Sequence, residues 1–384
     1  MQTFIYLVIE FLDELVFGVS AAATPLIRND LTLTYVQIGL LFSIPGLIAN
    51  FIEPVMFILG DVWKRRVILL AGGVLFALSL TLTSVSSSFT ILLVSFIIFF
   101  PASGMFVSLS QANLMDLEPS RHEQNMARWT FAGSLGIVAG PLLLSAMLTL
   151  GLGWRTAFGL LATLAFLTLL IAWRRVPAPG ASTAPLPNFS HLLDGFRDAF
   201  RALRNRDVLR WLALLEFSNL MLDVFYGFLP LYFVDVAGFT PVEAAASVAV
   251  WTGVGLLGDF LIIPLLERVK GLDYLRWSVL IELVLLPAFL IVSIPWLKLV
   301  ILGAMGFFNA GWYAILKANM FSAMPGKSGI AQALDNVSGM FGTLLPFGLG
   351  LAAQAFGLGA AMWLLLAGPL ALLFGLPRRT NSET

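Results

Sequence analysis

Glu10, Asp13 and Glu14 interrupt an otherwise apolar run from Phe4 to Leu26. With Phe17 they follow i, i+3, i+4, i+7 spacing, so a helix places all four on one face. Glu216, Asn219 and Asp223 follow i, i+3, i+7 in a later apolar run and make a second such face. Carboxylates can take up and release protons, and together they attract cations. Facing lipid, each would cost roughly 3 kcal/mol or more. They must therefore face protein or a water-filled cavity. Interhelical hydrogen bonds or ion pairs, such as Lys317 with Asp116 or Arg128 with Glu53, are the plainer use for any one acid. Five carboxylates on two related helices exceed what packing needs, and the set points to proton coupling and substrate binding.

The elements that hold these groups follow from composition. The chain has 384 residues, 59% hydrophobic and 11% charged, with a mean hydropathy of +0.92. A soluble domain carries about 25% charged residues. Long unbroken apolar runs rather than short alternating strands predict an all-α polytopic membrane protein, not a β-barrel. There is no cysteine, which excludes disulfides and thiolate metal sites, and the only histidines, His122 and His191, lie in polar segments. No metal site and no cofactor are expected. A formal net charge of zero gives no sign of nucleic-acid binding. No small-residue cleavage site follows the first apolar run, so a retained helix is expected there.

Twelve spans are predicted, near 4–26, 35–58, 66–86, 90–114, 127–150 and 154–173, then 208–233, 242–266, 274–294, 297–321, 330–354 and 357–377. Each is long enough to cross about 30 Å of hydrocarbon. The only long polar stretch, 174–207, begins as a Pro/Gly/Ser linker. It ends with Leu193, Phe196, Phe200 and Leu203 at helical spacing opposite arginines, an amphipathic surface helix. Residues 1–173 and 208–384 are thus expected to form two six-helix bundles joined by a linker. With the N-terminus inside, 18 of the 22 Lys and Arg fall in cytoplasmic segments and three outside, Arg28, Arg155 and Lys298; Lys317 is intramembrane. That asymmetry predicts that both termini are cytoplasmic.

The halves repeat. A shift of 206 residues aligns Glu10 with Glu216, Thr34 with Thr240, Lys64 with Lys270 and Asn113 with Asn319. It also aligns Gly133 with Gly339 and Gly136 with Gly342, and keeps charge type at Glu53/Asp259 and Asp61/Glu267. Compositional bias accounts for aligned glycines, but not for aligned acids, asparagines and a lysine in a chain poor in them. Two parallel six-helix repeats are the architecture of a secondary transporter.

The turn after the second span reads GDVWKRR, Gly60 to Arg66, and the turn after the eighth reads ERVKG, Glu267 to Gly271. They resemble the loop signature of the major facilitator superfamily, an acid followed by bases. Asp61, Arg65 and Arg66 match it in the first half, and Glu267 and Arg268 in the second. Phe57, Val62 and Lys64 depart from it. The fifth span carries Gly136, Gly140 and Pro141, which resemble the Gly-x-x-x-Gly-Pro core of a motif seen in antiporters of this family. Ala127 replaces its upstream glycine, and Leu144 and Ser145 its trailing pair. Small-residue packing and a proline kink are the plainer use of these three residues. The helix-four arginine of drug/proton antiporters is absent.

The resemblance implies a central cavity lined by the first, fourth, seventh and tenth helices. The residues expected around it are Glu10, Asp13, Glu14, Glu53, Gln111, Asn113, Glu216, Asn219, Asp223, Asp259, Asn309, Trp312, Lys317 and Asn319, with Tyr313 beside them. Asp61 and its basic neighbours are expected to gate the cytoplasmic end. Asp335–Asn336 are weaker candidates. Glu282 and the tryptophans near helix ends are read as structural or interfacial.

Three other patterns carry no chemistry. GVGLLG, Gly253 to Gly258, lies inside an apolar span with no preceding strand. PGKSG, Pro325 to Gly329, lacks the first glycine of a phosphate loop. NFS, Asn188 to Ser190, is a glycosylation sequon on the cytoplasmic side.

The expected function is that of a proton-coupled exporter of small cationic or amphipathic molecules, not an enzyme, in the plasma membrane. It is expected to act as a monomer, with small-molecule substrate, protons and the bilayer as its partners. The excess of acid over base favours a cation. A proton-coupled importer of a polar metabolite would instead use Asn113, Asn309 and Asn319. A lipid flippase or scramblase on the same fold would use the 32 phenylalanines.

Overall fold

The computed structural model describes residues 2–62, 65–117, 122–176, 205–323 and 338–377, and side chains there except at 2, 57–62, 115–117, 122–124, 126–127 and 321. Among the described residues every regular element is a helix, and twelve are long. They are α1 (Gln2–Asp30), α2 (Tyr35–Val62), α3 (Arg65–Ser84), α4 (Phe89–Ser103, continued by Leu109–Leu117), α5 (His122–Thr149) and α6 (Trp154–Arg175). Then come α7 (Arg206–Asn219, continued by Phe225–Asp235), α8 (Pro241–Leu266), α9 (Gly271–Ile291), α10 (Pro295–Asn309, continued by Trp312–Ser322), α11 (Ser338–Phe356) and α12 (Leu358–Gly375). Eleven are long and apolar enough to cross a membrane. The exception is α1, which has the length, 29 residues, but carries Glu10, Asp13 and Glu14. The twelve predicted spans correspond one to one with these helices. The predicted amphipathic helix and Asp335–Asn336 lie outside the described residues, as does the Asp61 side chain.

Five of the spans are not regular, which the hydropathy pattern did not announce; α11 is interrupted by a turn at 343–344 and α12 contains a 3-10 stretch at Met362–Leu366. Helix α4 contains a π-turn at Gly104–Ser108, just after Pro101, and α7 contains another at Leu220–Val224. Such turns widen a helix by one residue and often mark functional sites. Helix α10 was expected to be continuous and is broken at Ala310–Gly311. Gly311 has φ 73°, a left-handed conformation that glycine adopts without strain.

In a bilayer, helices associate by close packing of small residues rather than by hydrophobic expulsion. Helix α1 packs along α5 in this way. A Cβ at Gly140 would lie 2.7 Å from Gly18 Cα, one at Gly136 would lie 2.9 Å from Glu14 Cβ, and one at Gly133 would lie 2.6 Å from Glu10 Oε1. The antiporter-like glycines thus let the acidic helix lie against α5 backbone to backbone. Within the last six helices Gly342, the repeat mate of Gly136, abuts the carboxyl of Glu216, the repeat mate of Glu10.

Helices α3, α4 and α6 complete the packing around α1 and α2, and α8, α9, α10 and α12 pack with α7 in the matching arrangement. The first and last six helices meet along α1–α7, α2–α11 and α5–α8. At the end of the bundle away from the chain termini, tight turns with positive-φ Gly151, Gly238 and Gly357 join the helices. There Thr240 and Glu243 form a capping box, with Pro241 in the first turn of α8.

Candidate functional site

Between the two sets of six helices lies a cavity of ≈ 410 Å³. Glu14 reaches it from α1 and Asp223 from the π-turn of α7, the two acids that sit deepest in their apolar runs. Phe17, Phe42, Phe96, Phe99, Phe100, Phe158 and Tyr226 supply an aromatic part of the remaining wall. Phe17 packs edge-on against Phe99 and Phe100 with centroids 5.4 and 5.6 Å away, and Phe42 packs edge-on against Phe228. Ser20 and Thr83 add hydroxyls, but Ser20 Oγ already donates to Val16 O and Thr83 Oγ1 to Ser79 O and Ser95 Oγ. No Lys or Arg lines this cavity among the described residues. Asp223 is solvent-accessible although it lies mid-helix, because its accessible surface faces this internal space.

The other acids of the first face are not in the open cavity. Asp13 is buried and accepts a 2.8 Å hydrogen bond from Ser103 Oγ, two residues after Pro101. Glu10 is buried against Gly133. Glu216 accepts from Ser338 Oγ at 2.8 Å. Asn219 is half-buried at the start of the α7 π-turn. Both acids of the repeat pair Glu53/Asp259 meet a helix discontinuity. A Cβ at Gly104, where the α4 π-turn begins, would lie 2.6 Å from Glu53 Oε1. Asp259 Oδ1 accepts from the Gly311 N–H at the break in α10, 3.2 Å away. The internal repeat is therefore kept in three dimensions as an acid against a disrupted helix.

A second, more polar cavity of ≈ 470 Å³ lies between α5, α8 and α10. Asp259, Asn309, Tyr313, Thr130, Ser134 and Thr252 line it. Lys317 Nζ donates to Tyr313 OH one turn away.

Several further expected residues lie outside both cavities. Trp312 is fully buried and donates its indole N–H to Ser278 Oγ on α9 at 2.8 Å, so it packs α10 against α9 instead of facing substrate. Asn319 donates to Ile315 O, within its own helix. Gln111 is half-buried on α4. Asn113 accepts from Arg65 at 3.4 Å, and Arg66 donates to Trp173 O at 2.6 Å. The bases of the loop signature thus anchor the start of α3 to α4 and α6. Glu267 and Arg268 are exposed at the end of α8. Pro141 follows Gly140 at the Gly18 contact.

Tyr226 and Ser103 were not among the expected site residues. Tyr226 stands three residues after Asp223, so the same face that singled out Asp223 contained it. Ser103 carries no such signal, since its partner Asp13 is 90 residues away. Lys298, counted on the outer side, is buried within the protein, donating to Tyr232 OH at 3.0 Å and to Phe289 O at 2.5 Å.

All hydrogen bonds that join the two sets of helices, among the described residues, lie toward the end away from the termini. Arg28 Nη1 pairs with Asp235 Oδ2 at 2.6 Å, and Tyr35 OH donates to the same oxygen at 2.8 Å. The Arg28 guanidinium lies over the Tyr35 ring, 4.3 Å from its centroid. Tyr35 N–H donates to Gln354, the Phe347 N–H to Ser43 Oγ at 3.1 Å, and Ser145 Oγ to Val242 O. A Cβ at Gly39 would lie 2.7 Å from Pro346 O, so α2 and α11 also touch backbone to backbone there.

Comparison with known proteins agrees with this architecture. The family model described as Major Facilitator Superfamily matches residues 6–346. The chain is 23% identical over 379 residues to a protein of Helicobacter acinonychis (strain Sheeba) named probable sugar efflux transporter, covering 95% of this chain and 93% of that protein. It is 22% identical over 347 residues to the quinolone resistance protein NorA of Staphylococcus aureus (strain MSSA476), covering 87% and 85%. Among solved structures, a mutant of the nucleoside transporter NupG superposes with a TM-score of 0.81 at 15% identity, covering 98% of this chain and 99% of that one. A bacterial homologue of the human lysosomal transporter Spinster, in an inward-facing unoccupied conformation, gives 0.73 at 17% identity, covering 98% and 92%. These likenesses establish the fold.

Proposed function

This chain belongs to the major facilitator superfamily, and on that premise we propose that it is a proton-coupled exporter of small cationic or amphipathic molecules working by alternating access. It is a multi-pass membrane transporter, not an enzyme. One observation carries the finer reading: Glu14 and Asp223 face one aromatic-walled cavity that has no basic residue in its described lining. A cation binding there gains from both carboxylates and from aromatic ring faces. Protons compete for the same carboxylates, so loading one side with protons expels the cation from the other. The two relatives named for efflux and for quinolone resistance support this direction. The polar cavity at Asp259 and Asn309 favours a second reading, a proton-coupled importer of a polar metabolite.

In proteoliposomes, a panel of amphipathic cations and neutral sugars separates the readings. We expect at least one cation to move against its own gradient when a pH gradient is imposed, and a protonophore to stop that movement. Cation flux that ignores the pH gradient, or uphill movement of neutral solutes alone, would refute the export reading.

We assign the chain to the plasma membrane with both termini cytoplasmic. The two bundles, 1–173 and 208–384, rock about the cavity, and the contacts around Arg28 close its outer end. The 18-to-3 distribution of Lys and Arg supports this orientation. Because the chain has no cysteine, a single one can report topology. A cysteine at Ser87, exposed in the turn between α3 and α4, should react with an impermeant maleimide added to intact cells. One at Ser182, in the central linker, should react only after the cells are opened. The reverse pattern would invert the assignment.

A further inference from the structure

Glu282 and Asn309 lie on facing helices, α9 and α10, and both are buried, with 0% and 3% of their surface exposed. Asn309 Nδ2 donates to Glu282 Oε1 at 3.3 Å. Each residue has one further oxygen, Glu282 Oε2 and Asn309 Oδ1, and both are buried with no hydrogen-bond partner. Buried polar atoms without partners are rare, because each loses its water hydrogen bonds with nothing in exchange. Both of these are acceptors. A single hydrogen placed on Glu282 Oε2 satisfies the two together, because a carboxylic acid has one donor and an amide oxygen accepts it. With that hydrogen donated to Asn309 Oδ1, beside the observed Nδ2–Oε1 bond, the pair would close as a carboxylic acid–amide ring.

We infer that the Glu282–Asn309 pair is a proton-binding site, occupied in this conformation and separate from the Glu14–Asp223 cavity. Its contact with solvent is Asn309 itself, which lines the polar cavity beside Asp259. A metal cation is a poor fit, since hard cations gather about six oxygens and the pair offers only two free ones. The ionisable groups on surrounding elements leave Glu282 without a counter-charge in hydrogen-bonding contact among the described residues. Helix α10 brings Lys298, which is held by Tyr232 and Phe289, and Tyr313 with Lys317, which bond each other. On α9 itself Asp273 pairs with Arg276, and Tyr274 donates to Phe308 O and Ala310 O. Asp259 on α8 accepts from Gly311, Tyr232 is the α7 group touching α9, and α12 has no ionisable side chain between 358 and 375. The site does not require the export reading, because it rests on hydrogen-bond completeness alone.

Infrared spectroscopy of the purified full-length protein reads this proton directly. We expect a carboxylic-acid C=O stretching band at neutral pH that shifts down in heavy water and is lost in Glu282→Gln. Glutamine keeps both hydrogen bonds of the ring, so that variant should fold. In Asn309→Ala the ring is broken and the band should move to higher frequency, which assigns it even if the glutamine variant does not fold. A spectrum that loses ionised carboxylate intensity in Glu282→Gln would overturn the inference, as would one unchanged in Asn309→Ala. A band that disappears on adding sodium ions would assign the site to the metal ion and also overturn it. A parent protein that shows this band but no pH-driven transport, or cavity variants that keep such transport, would fault only the Glu14–Asp223 reading.

Discussion

Glu14→Gln and Asp223→Asn should each abolish accumulation driven by a pH gradient while leaving substrate exchange measurable. The amide keeps the size and polarity of a protonated carboxyl but cannot exchange its proton. Substrate can still enter the cavity, whose Phe17, Phe42, Phe99 and Tyr226 surfaces are untouched. What is lost is the link between proton movement and substrate movement, so the steady-state concentration ratio should fall to unity. Exchange should slow modestly, since one attractive charge is gone. The control is Asp13→Asn. Asp13 is buried and held by Ser103, so its amide should change expression or stability more than coupling. Accumulation that persists in both cavity variants, with an unchanged pH profile, would remove these two carboxylates from the coupling step.

The second large effect is expected at the opposite end from the termini. Asp235→Asn should make the cavity more accessible from outside, because Asp235 accepts from both Arg28 and Tyr35 and bridges α7 to α1 and α2. The pair is only partly buried, at 23% and 17% side-chain exposure, so its charge-assisted bonds contribute about 1–2 kcal/mol to this closed arrangement. That corresponds to a roughly 5- to 30-fold shift in population. A cysteine at Phe42, on the cavity wall, should be labelled faster by an external maleimide by a similar factor. Exchanging the charges, with Arg28→Asp and Asp235→Arg together, should return labelling toward the parent rate. Unchanged labelling in Asp235→Asn would mean that the α2–α11 backbone contacts at Gly39 and Pro346 keep this end closed without the ion pair.

The helices and their repeat were legible in the amino-acid order, because both are local properties of the chain. A run of about twenty apolar residues must form a helix in lipid, where every backbone group needs an internal partner. The period of 3.6 then fixes which side chains share a face, and so Glu14 and Asp223 could be singled out as inward-facing before any contact was known. Glycine spacing in α5 foretold a close approach, though not that Gly18, the Glu10 carboxyl and the Glu14 stem would fill it. What each polar group meets depends on how the helices pack. Asp13 and Ser103 are 90 positions apart, Glu282 and Asn309 are 27 apart, and Arg28 and Asp235 are 207 apart. No local pattern encodes such distances. Trp312 was misplaced for a related reason. Asn309 and Tyr313, on either side of the break at Gly311, line one cavity, while Trp312 beside them turns to Ser278 of α9, 34 positions away. The π-turn beneath Asp223 escaped as well, since a single wide turn leaves the hydrophobic period of a long apolar helix nearly unchanged.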